Sequence, residues 1–117
     1  MTLPTYQLLI ELVAPARIAV GRLGTFDFPA GRYVYTGSAK RHPEARLARH
    51  RSPHKRLHWH IDYLLAVPQA RLTGTRRFHE AECEVNGRGA GRILVPRFGA
   101  SDCRAGCGSH LKFLGPW

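Results

Sequence analysis

Residues 31–39, Gly-Arg-Tyr-Val-Tyr-Thr-Gly-Ser-Ala, decide the fold of this chain. Their middle part, residues 32–36, combines aromatic and β-branched side chains, which favour an extended strand. Gly21, Gly24 and Pro29 precede it, and residues of these types mark turns. The sequence therefore predicts a strand that is entered from a turn-rich segment.

Two further strands are predicted before this stretch. Residues 6–13, YQLLIELV, form a compact apolar run with one charge, and residues 17–20 resume the pattern after Ala14-Pro15-Ala16. Because the connections between the three segments are short, antiparallel pairing needs no long crossover. We therefore expect a small central antiparallel sheet of about three strands.

The residues that follow the sheet predict helices. Pro43 suits a first helical position, and Glu44 suits the positive end of a helix dipole. Residues 60–66 place their apolar side chains on one helical face. Residues 71–78 predict a strand and residues 80–85 a helical turn or a short helix, whereas residues 86–91 are too rich in glycine for either.

The chain as a whole is predicted to be one α+β domain over residues 1–117. A chain of 117 residues buries one ordinary hydrophobic core and leaves no room for a second. We expect helices to flank the central sheet and the C-terminal third to be loop-rich, with short apolar pieces at residues 93–95 and 111–114.

The charge of the chain predicts a polyanionic partner. Lys and Arg number 18 against 8 Asp and Glu, which gives a formal net charge of +10. Such an excess attracts phosphates, and Arg meets phosphate through two parallel hydrogen bonds. Nucleic acid is the predicted partner. The alternative is that these arginines only form a solvated surface.

The sequence also predicts where the protein works. No apolar run approaches the about 20 residues that span a bilayer, and the N-terminus lacks a leader pattern, so no membrane partner is expected. Three cysteines, Cys83, Cys103 and Cys107, cannot all pair with one another, which fits a reducing compartment. We expect a cytoplasmic protein.

Several motifs resemble those of the GIY-YIG nucleases. Tyr35-Thr36-Gly37 resembles the second half of their tyrosine-glycine signature, and Arg46 and His50 resemble the arginine and histidine that follow it. A spacing of four places these two side chains on one helical face. Further blocks look like a prokaryotic branch of that superfamily whose members also occur fused to, or beside, endonuclease III-like repair enzymes. They are residues 57–64, 82–84, 98–103 and 109–111.

The chain departs from the family pattern in three places. The leading half of the signature reads Pro4-Thr5-Tyr6 instead of Gly-x-Tyr, so that only the tyrosine is kept. The separation between Tyr6 and Tyr35 is longer than is typical, which implies an added hairpin around residues 17–29. Ser38 stands where many of these nucleases carry lysine.

The resemblance implies an endonuclease that depends on one Mg²⁺ or Mn²⁺ ion and acts on branched, damaged or single-stranded DNA in repair or maintenance, in association with a repair enzyme. Tyr35 would be the general base or position the water, with Tyr6 beside it. Arg46 would hold the scissile phosphate, and His50 would contact the phosphate or the leaving group. A phenol must be perturbed for such a role, since tyrosine titrates near about 10.

Metal and nucleic-acid contacts complete this expectation. Glu82 is the expected ligand of the divalent cation, with Glu80 and Glu84 as rivals, because hard cations prefer oxygen. The expected contacts to nucleic acid are Gly37, Ser38, Lys40, Arg41 and Arg49. The alternative is a nucleic-acid-binding module without catalysis, because the glycine before Tyr6 is missing.

Two groups near the C-terminal half have structural interpretations as well. Cys103-x3-Cys107-x2-His110, with Cys83 as a fourth ligand, has the residue types of a zinc site. We favour instead a loop in which Ser101 and Asp102 form turn hydrogen bonds and the cysteines are small buried side chains, without zinc. His60 and Asp62 are expected to cap the second helix, with Trp59 packed below.

Overall fold

Two antiparallel strands, β1 (Thr5–Leu12) and β4 (Gly31–Ser38), lie at the centre of a four-stranded sheet. Consecutive side chains of a strand point to opposite faces of the sheet. Nearly every residue of β1 and β4 is buried, so both faces of the sheet are covered at its centre. This explains why residues 6–13 form a compact apolar run instead of a strict alternation.

The sheet is completed by strands from the second half of the chain. The computed structural model describes residues 5–39, 43–52, 57, 59–88, 91–99 and 107–116. Within them, β5 (Ala70–Phe78) pairs antiparallel with β1, and β6 (Leu111–Gly115) pairs antiparallel with β4. The strand order is β5-β1-β4-β6.

A separate two-stranded hairpin lies between β1 and β4 in the sequence. Its strands are β2 (Ala16–Val20) and β3 (Gly24–Phe28), joined by a 3₁₀ turn over Gly21–Leu23. The hairpin expected around residues 17–29 is therefore present. The predicted second strand pairs within this hairpin and not with β1, because its apolar face, which includes Ile18, joins the common core.

Among the described residues, three helices flank the sheet: α1 (Pro43–Arg51), α2 (His60–Leu65) and α3 (Glu82–Arg88). The predicted α+β class is confirmed. Helix α3 extends into the glycine-rich segment that the sequence predicted to be irregular. Tertiary contacts hold this end, since the Asn86 side-chain amide donates to the Ser109 carbonyl at 2.9 Å and the Lys112 ammonium donates to the Asn86 carbonyl at 2.7 Å.

The C-terminal region contributes one strand more than the sequence predicted for the sheet. The apolar piece at residues 111–114 lies in β6, which pairs with residues of β4 more than 70 positions earlier. Local patterns do not reveal such a pairing. The described residues 91–99 and 107–110 contain turns, bends and one isolated bridge between Arg92 and Phe113, as expected of a loop-rich segment.

None of the helices formed by the described residues has the length and the apolar character that crossing a membrane requires.

Candidate active site

Tyr6 and Gly37 are cross-strand partners at one end of the β1–β4 pair. A methyl group on Gly37 would come within 2.7 Å of the Tyr6 hydroxyl oxygen and 3.0 Å of Cε2 of Tyr35. The two phenol rings therefore lie against β4 because Gly37 has no side chain. Gly37 is itself buried, so its role here is to make room for the tyrosines.

The substitution Gly37→Ala is expected to lower the free energy of unfolding by about 1 to 3 kcal/mol, because the added methyl overpacks two buried rings. Gly87→Ala is the matched control, since a methyl there meets nothing within 4 Å. Gly87 lies in helix α3, where alanine should stabilise by about 0.5 to 1 kcal/mol. Urea unfolding measures both changes. Equal effects of the two substitutions would contradict this account of Gly37.

Tyr6 is paired with His50 of helix α1. The Tyr6 hydroxyl oxygen lies 2.8 Å from His50 Nε2, and both residues are buried. Desolvation raises the pKa of Tyr6 to about 12, although the charge of Arg46 and a hydrogen bond from it act in the opposite direction. The phenol is therefore protonated at neutral pH. Its hydrogen bond to an imidazole gives it a neighbour whose ring nitrogen can accept or donate a proton.

Tyr35 is buried, as Tyr6 is. Its side chain is 7 % exposed, and its ring meets Phe98 edge-on at a centroid distance of 6.2 Å. Desolvation raises the pKa of Tyr35 far above its usual value, and the nearby Tyr6 and Glu82 raise it further. Of the two roles expected for Tyr35, positioning of water agrees with this shift better than general-base catalysis does.

Arg46 projects from helix α1 towards the end of β4. Its Nη1 donates a hydrogen bond to the Ser38 carbonyl at 3.2 Å, and its guanidinium carbon lies 4.3 Å from the centroid of the Trp59 ring. The side chain is half-buried. A guanidinium has five N–H donors in a rigid fork, so this position suits the binding of a phosphate beside Tyr6.

Glu82, the first residue of helix α3, faces the same end of the sheet. Its Oε1 accepts a hydrogen bond from the Ser38 hydroxyl at 3.1 Å, and its Oε2 lies 2.8 Å from His110 Nδ1. The Glu80 carbonyl accepts from the Thr5 hydroxyl at 2.5 Å, and Glu84 is exposed. The structure thus shows the Glu82 carboxylate hydrogen-bonded to Ser38.

Arg49, expected to contact nucleic acid, forms an ion pair with a carboxylate. Its Nη1 and Nη2 donate to the two oxygens of Asp62 at 2.8 Å and 3.0 Å, and Asp62 is fully buried. Asp62 Oδ2 also accepts from the Trp59 backbone N–H at 2.8 Å, which confirms its expected capping role. The Arg49 guanidinium carbon lies 4.4 Å from the Trp59 ring centroid. Trp59 is thus a platform for two arginines, a role that its sequence position alone does not reveal.

His60 does not cap helix α2, contrary to expectation. Its Nδ1 accepts a hydrogen bond from the Gly99 backbone N–H at 2.8 Å, which links the start of α2 to the loop before β6. Burial lowers the pKa of His60, so the neutral imidazole that this acceptor role requires is favoured. Its ring also lies against Phe98, with the centroids 5.6 Å apart.

A second group of side chains lies next to Glu82. The ligand atoms of Cys83, Cys107 and His110 all lie within 4.8 Å of one another. Both cysteines are half-buried, so the expectation of fully buried small side chains is wrong for them. We call these three residues the Cys–His cluster. Five other residues that the sequence singled out lie outside the described residues. They are Lys40, Arg41, Ser101, Asp102 and Cys103.

Comparison with known proteins gives one match. A family model described as "Domain of unknown function DUF123" matches residues 5–116, which is nearly the whole chain. No curated protein and no solved structure matches it.

Proposed function

The chain belongs to the DUF123 family, and we propose, from the geometry of its site, that it is a metal-dependent endonuclease of the GIY-YIG type that hydrolyses phosphodiester bonds in DNA. The observation that carries the proposal is the convergence of Tyr6, Arg46, His50 and Glu82. They come from β1, α1 and α3, and hydrogen bonds or close charges link them to one another or to Ser38 at the end of β4.

Arg46 has the task of binding the scissile phosphate. Phosphodiester hydrolysis places extra negative charge on the phosphate oxygens in the transition state, and a fixed guanidinium stabilises that charge. Trp59 below the guanidinium and the Ser38 carbonyl beside it hold Arg46 in place before substrate arrives. Such preorganisation removes the cost of ordering a long side chain during the reaction.

Tyr6 and His50 handle the proton of the attacking water. The water oxygen forms a bond to phosphorus, its proton passes to the Tyr6 oxygen, and the phenol proton moves to His50 Nε2 across the 2.8 Å contact. The bond from phosphorus to the 3′ oxygen breaks, and that oxygen takes up a proton from solvent. With a pKa of about 12, Tyr6 rarely ionises alone near pH 7, so His50 is the final acceptor.

Glu82 fits the single carboxylate that this reaction needs for a divalent cation. Its side chain is 28 % exposed, and each oxygen keeps a lone pair besides the contacts to Ser38 and His110. Mg²⁺ is commonly bound through one or two carboxylates, waters and substrate phosphate. A Mg²⁺ or Mn²⁺ ion held by Glu82 would supply positive charge next to the phosphate oxygens.

Cleavage of plasmid and of branched or single-stranded DNA in the presence of Mn²⁺ tests this function. We expect the wild type to nick DNA and Glu82→Gln to be at least about 100-fold slower, because the amide is a poor ligand for the cation. Glu84→Gln, on the same helix but exposed, should match the wild type. Equal nicking by all three proteins would point to a contaminating nuclease and would reject the proposal.

A second candidate is a nucleic-acid-binding module without catalysis. The net charge of +10 and the exposed arginines of β5, Arg71 and Arg76, favour it. So does the segment Pro4-Thr5-Tyr6, which lacks the glycine of the GIY-YIG signature. Binding that weakens steeply with salt, survives Glu82→Gln and is never followed by cleavage with any divalent metal would support this module.

We place either activity in the cytoplasm, because three cysteines that cannot all pair fit a reducing compartment. The proposed association with a DNA-repair enzyme rests on the resemblance to the GIY-YIG branch alone.

A further inference from the structure

The Cys–His cluster joins two parts of the chain that the sheet alone does not connect. Cys83 lies in helix α3, whereas Cys107 and His110 lie in the segment that leads into β6. Their three ligand atoms lie within 4.8 Å of one another, and Cys83 Sγ is 3.9 Å from His110 Nε2. Two thiols and an imidazole at these distances have the residue types and the proximity of a metal-binding site.

One of the three separations is close to that of a tetrahedral zinc site, and all three are at most 4.8 Å. Zinc lies about 2.3 Å from sulfur and about 2.0 to 2.1 Å from imidazole nitrogen, so ligand atoms around it are about 3.5 to 3.8 Å apart. The separation of 3.9 Å between Cys83 Sγ and His110 Nε2 exceeds this by a few tenths of an ångström. Side-chain shifts of at most about 1 Å would close the site around an ion.

The hydrogen bonds of His110 independently orient it as a metal ligand. Its Nδ1 lies 2.8 Å from Glu82 Oε2 and 3.2 Å from the Thr36 carbonyl oxygen. Both partners are acceptors, so Nδ1 carries the proton. In the neutral imidazole, Nε2 then presents its lone pair on the side of Cys83. A carboxylate that holds the distal nitrogen of a histidine is the usual support for a histidine bound to zinc.

We propose that Cys83, Cys107 and His110 bind one Zn²⁺ ion through their two sulfurs and Nε2. Two thiolates neutralise the charge of the ion, which suits half-buried ligands beside a histidine that is 1 % exposed. Thiolates select zinc over Mg²⁺ or Mn²⁺, so this site is distinct from the cation at Glu82. The ion ties α3 to the segment before β6 and fixes the histidine that holds Glu82.

Metal analysis and cobalt substitution test this site without reference to nuclease activity. Protein purified without chelator should contain about one zinc per chain. After the zinc is removed under reducing conditions, Co²⁺ should give thiolate-to-metal charge-transfer absorption, and zinc should raise the melting temperature. Cys83→Ser and Cys107→Ser should each abolish the charge-transfer bands or weaken zinc binding by at least about tenfold. His79→Asn, at an exposed histidine, is the control and should bind like the wild type.

Circular dichroism of the serine variants separates loss of the ligand from loss of the fold. A folded Cys83→Ser protein that no longer binds Co²⁺ supports the site. The proposal is overturned if reduced wild-type protein shows neither thiolate–cobalt bands nor a zinc-dependent melting temperature. It is equally overturned if Cys83→Ser and Cys107→Ser bind zinc as the wild type does. Neither result depends on whether the protein cleaves DNA, because every readout is metal binding or stability.

Discussion

Arg46→Ala is expected to lower the rate of DNA cleavage by about 100- to 1,000-fold at saturating substrate. In the proposed reaction, the guanidinium supplies the fixed positive charge that stabilises the phosphate oxygens as negative charge develops. No other arginine on the described part of α1 lies in the same position, because Arg49 is held by Asp62 and Arg51 is exposed, with its Nη2 donating to the Thr75 hydroxyl. Single-turnover cleavage of a labelled DNA with excess protein measures the change directly.

Two control variants show whether the loss of cleavage in Arg46→Ala depends on the position of Arg46 or on the overall charge of the protein. Arg17→Ala removes an arginine with a 72 % exposed side chain from the hairpin, and its cleavage rate should stay within about twofold of the wild type. Arg46→Lys should recover only part of the activity, because lysine keeps the charge but not the fork. If Arg17→Ala slowed cleavage as much as Arg46→Ala, then overall charge and not this position would set the rate.

Asp62→Ala is expected to lower the free energy of unfolding by about 3 kcal/mol, at the lower end of the effect of breaking a buried ion pair. The substitution leaves the Arg49 guanidinium without its bidentate acceptor and the Trp59 backbone N–H without its cap. The Arg49 side chain is 28 % exposed, so water compensates for part of the loss. Urea unfolding followed by tryptophan fluorescence and by circular dichroism measures the change.

The hairpin offers a matched ion pair on the surface. Arg17 and Asp27 approach to 3.5 Å, and the Asp27 side chain is 79 % exposed. Asp27→Ala should change stability by less than about 0.5 kcal/mol, since solvent screens such pairs. Comparable losses from Asp27→Ala and Asp62→Ala would show that burial of Asp62 does not determine its contribution.

Local patterns predicted most elements of this fold. The apolar run in β1, the residues of β4, the hairpin around residues 17–29 and the helix that begins at Pro43 all have signatures within a few neighbouring residues. The order of the strands has no such signature. β5 and β6 pair with residues more than 55 positions away in the sequence, and these pairings depend on which faces become buried together.

In the candidate site, too, the sequence predicts the residues that have a local motif but not the contacts between distant side chains. The resemblance to GIY-YIG nucleases singled out Tyr6, Arg46, His50 and Glu82, and the structure brings them to one end of the sheet. The sequence does not predict the ion pair between Arg49 and Asp62. Bidentate pairing depends on the angle between α1 and α2, which no spacing in the sequence specifies.

The sequence likewise predicts the Cys–His cluster only in part. The sequence offered the right residue types, but the interval between Cys83 and Cys107 fits no standard zinc motif. Their approach follows from the position of α3 beside the segment before β6. The support of His110 by Glu82 is a tertiary contact between side chains 28 residues apart.

The pairing of β6 with β4 has a consequence for how the molecule is made. β4, which carries Tyr35 and Gly37, pairs with β1 on one side and with β6 (Leu111–Gly115) on the other. During synthesis, the edge of β4 that pairs with β6 cannot form its hydrogen bonds until Leu111–Gly115 have left the ribosome. Contacts between such distant segments also slow the search for the native state, since a long loop must close before they form. The four-stranded sheet is therefore completed only after β6 has emerged.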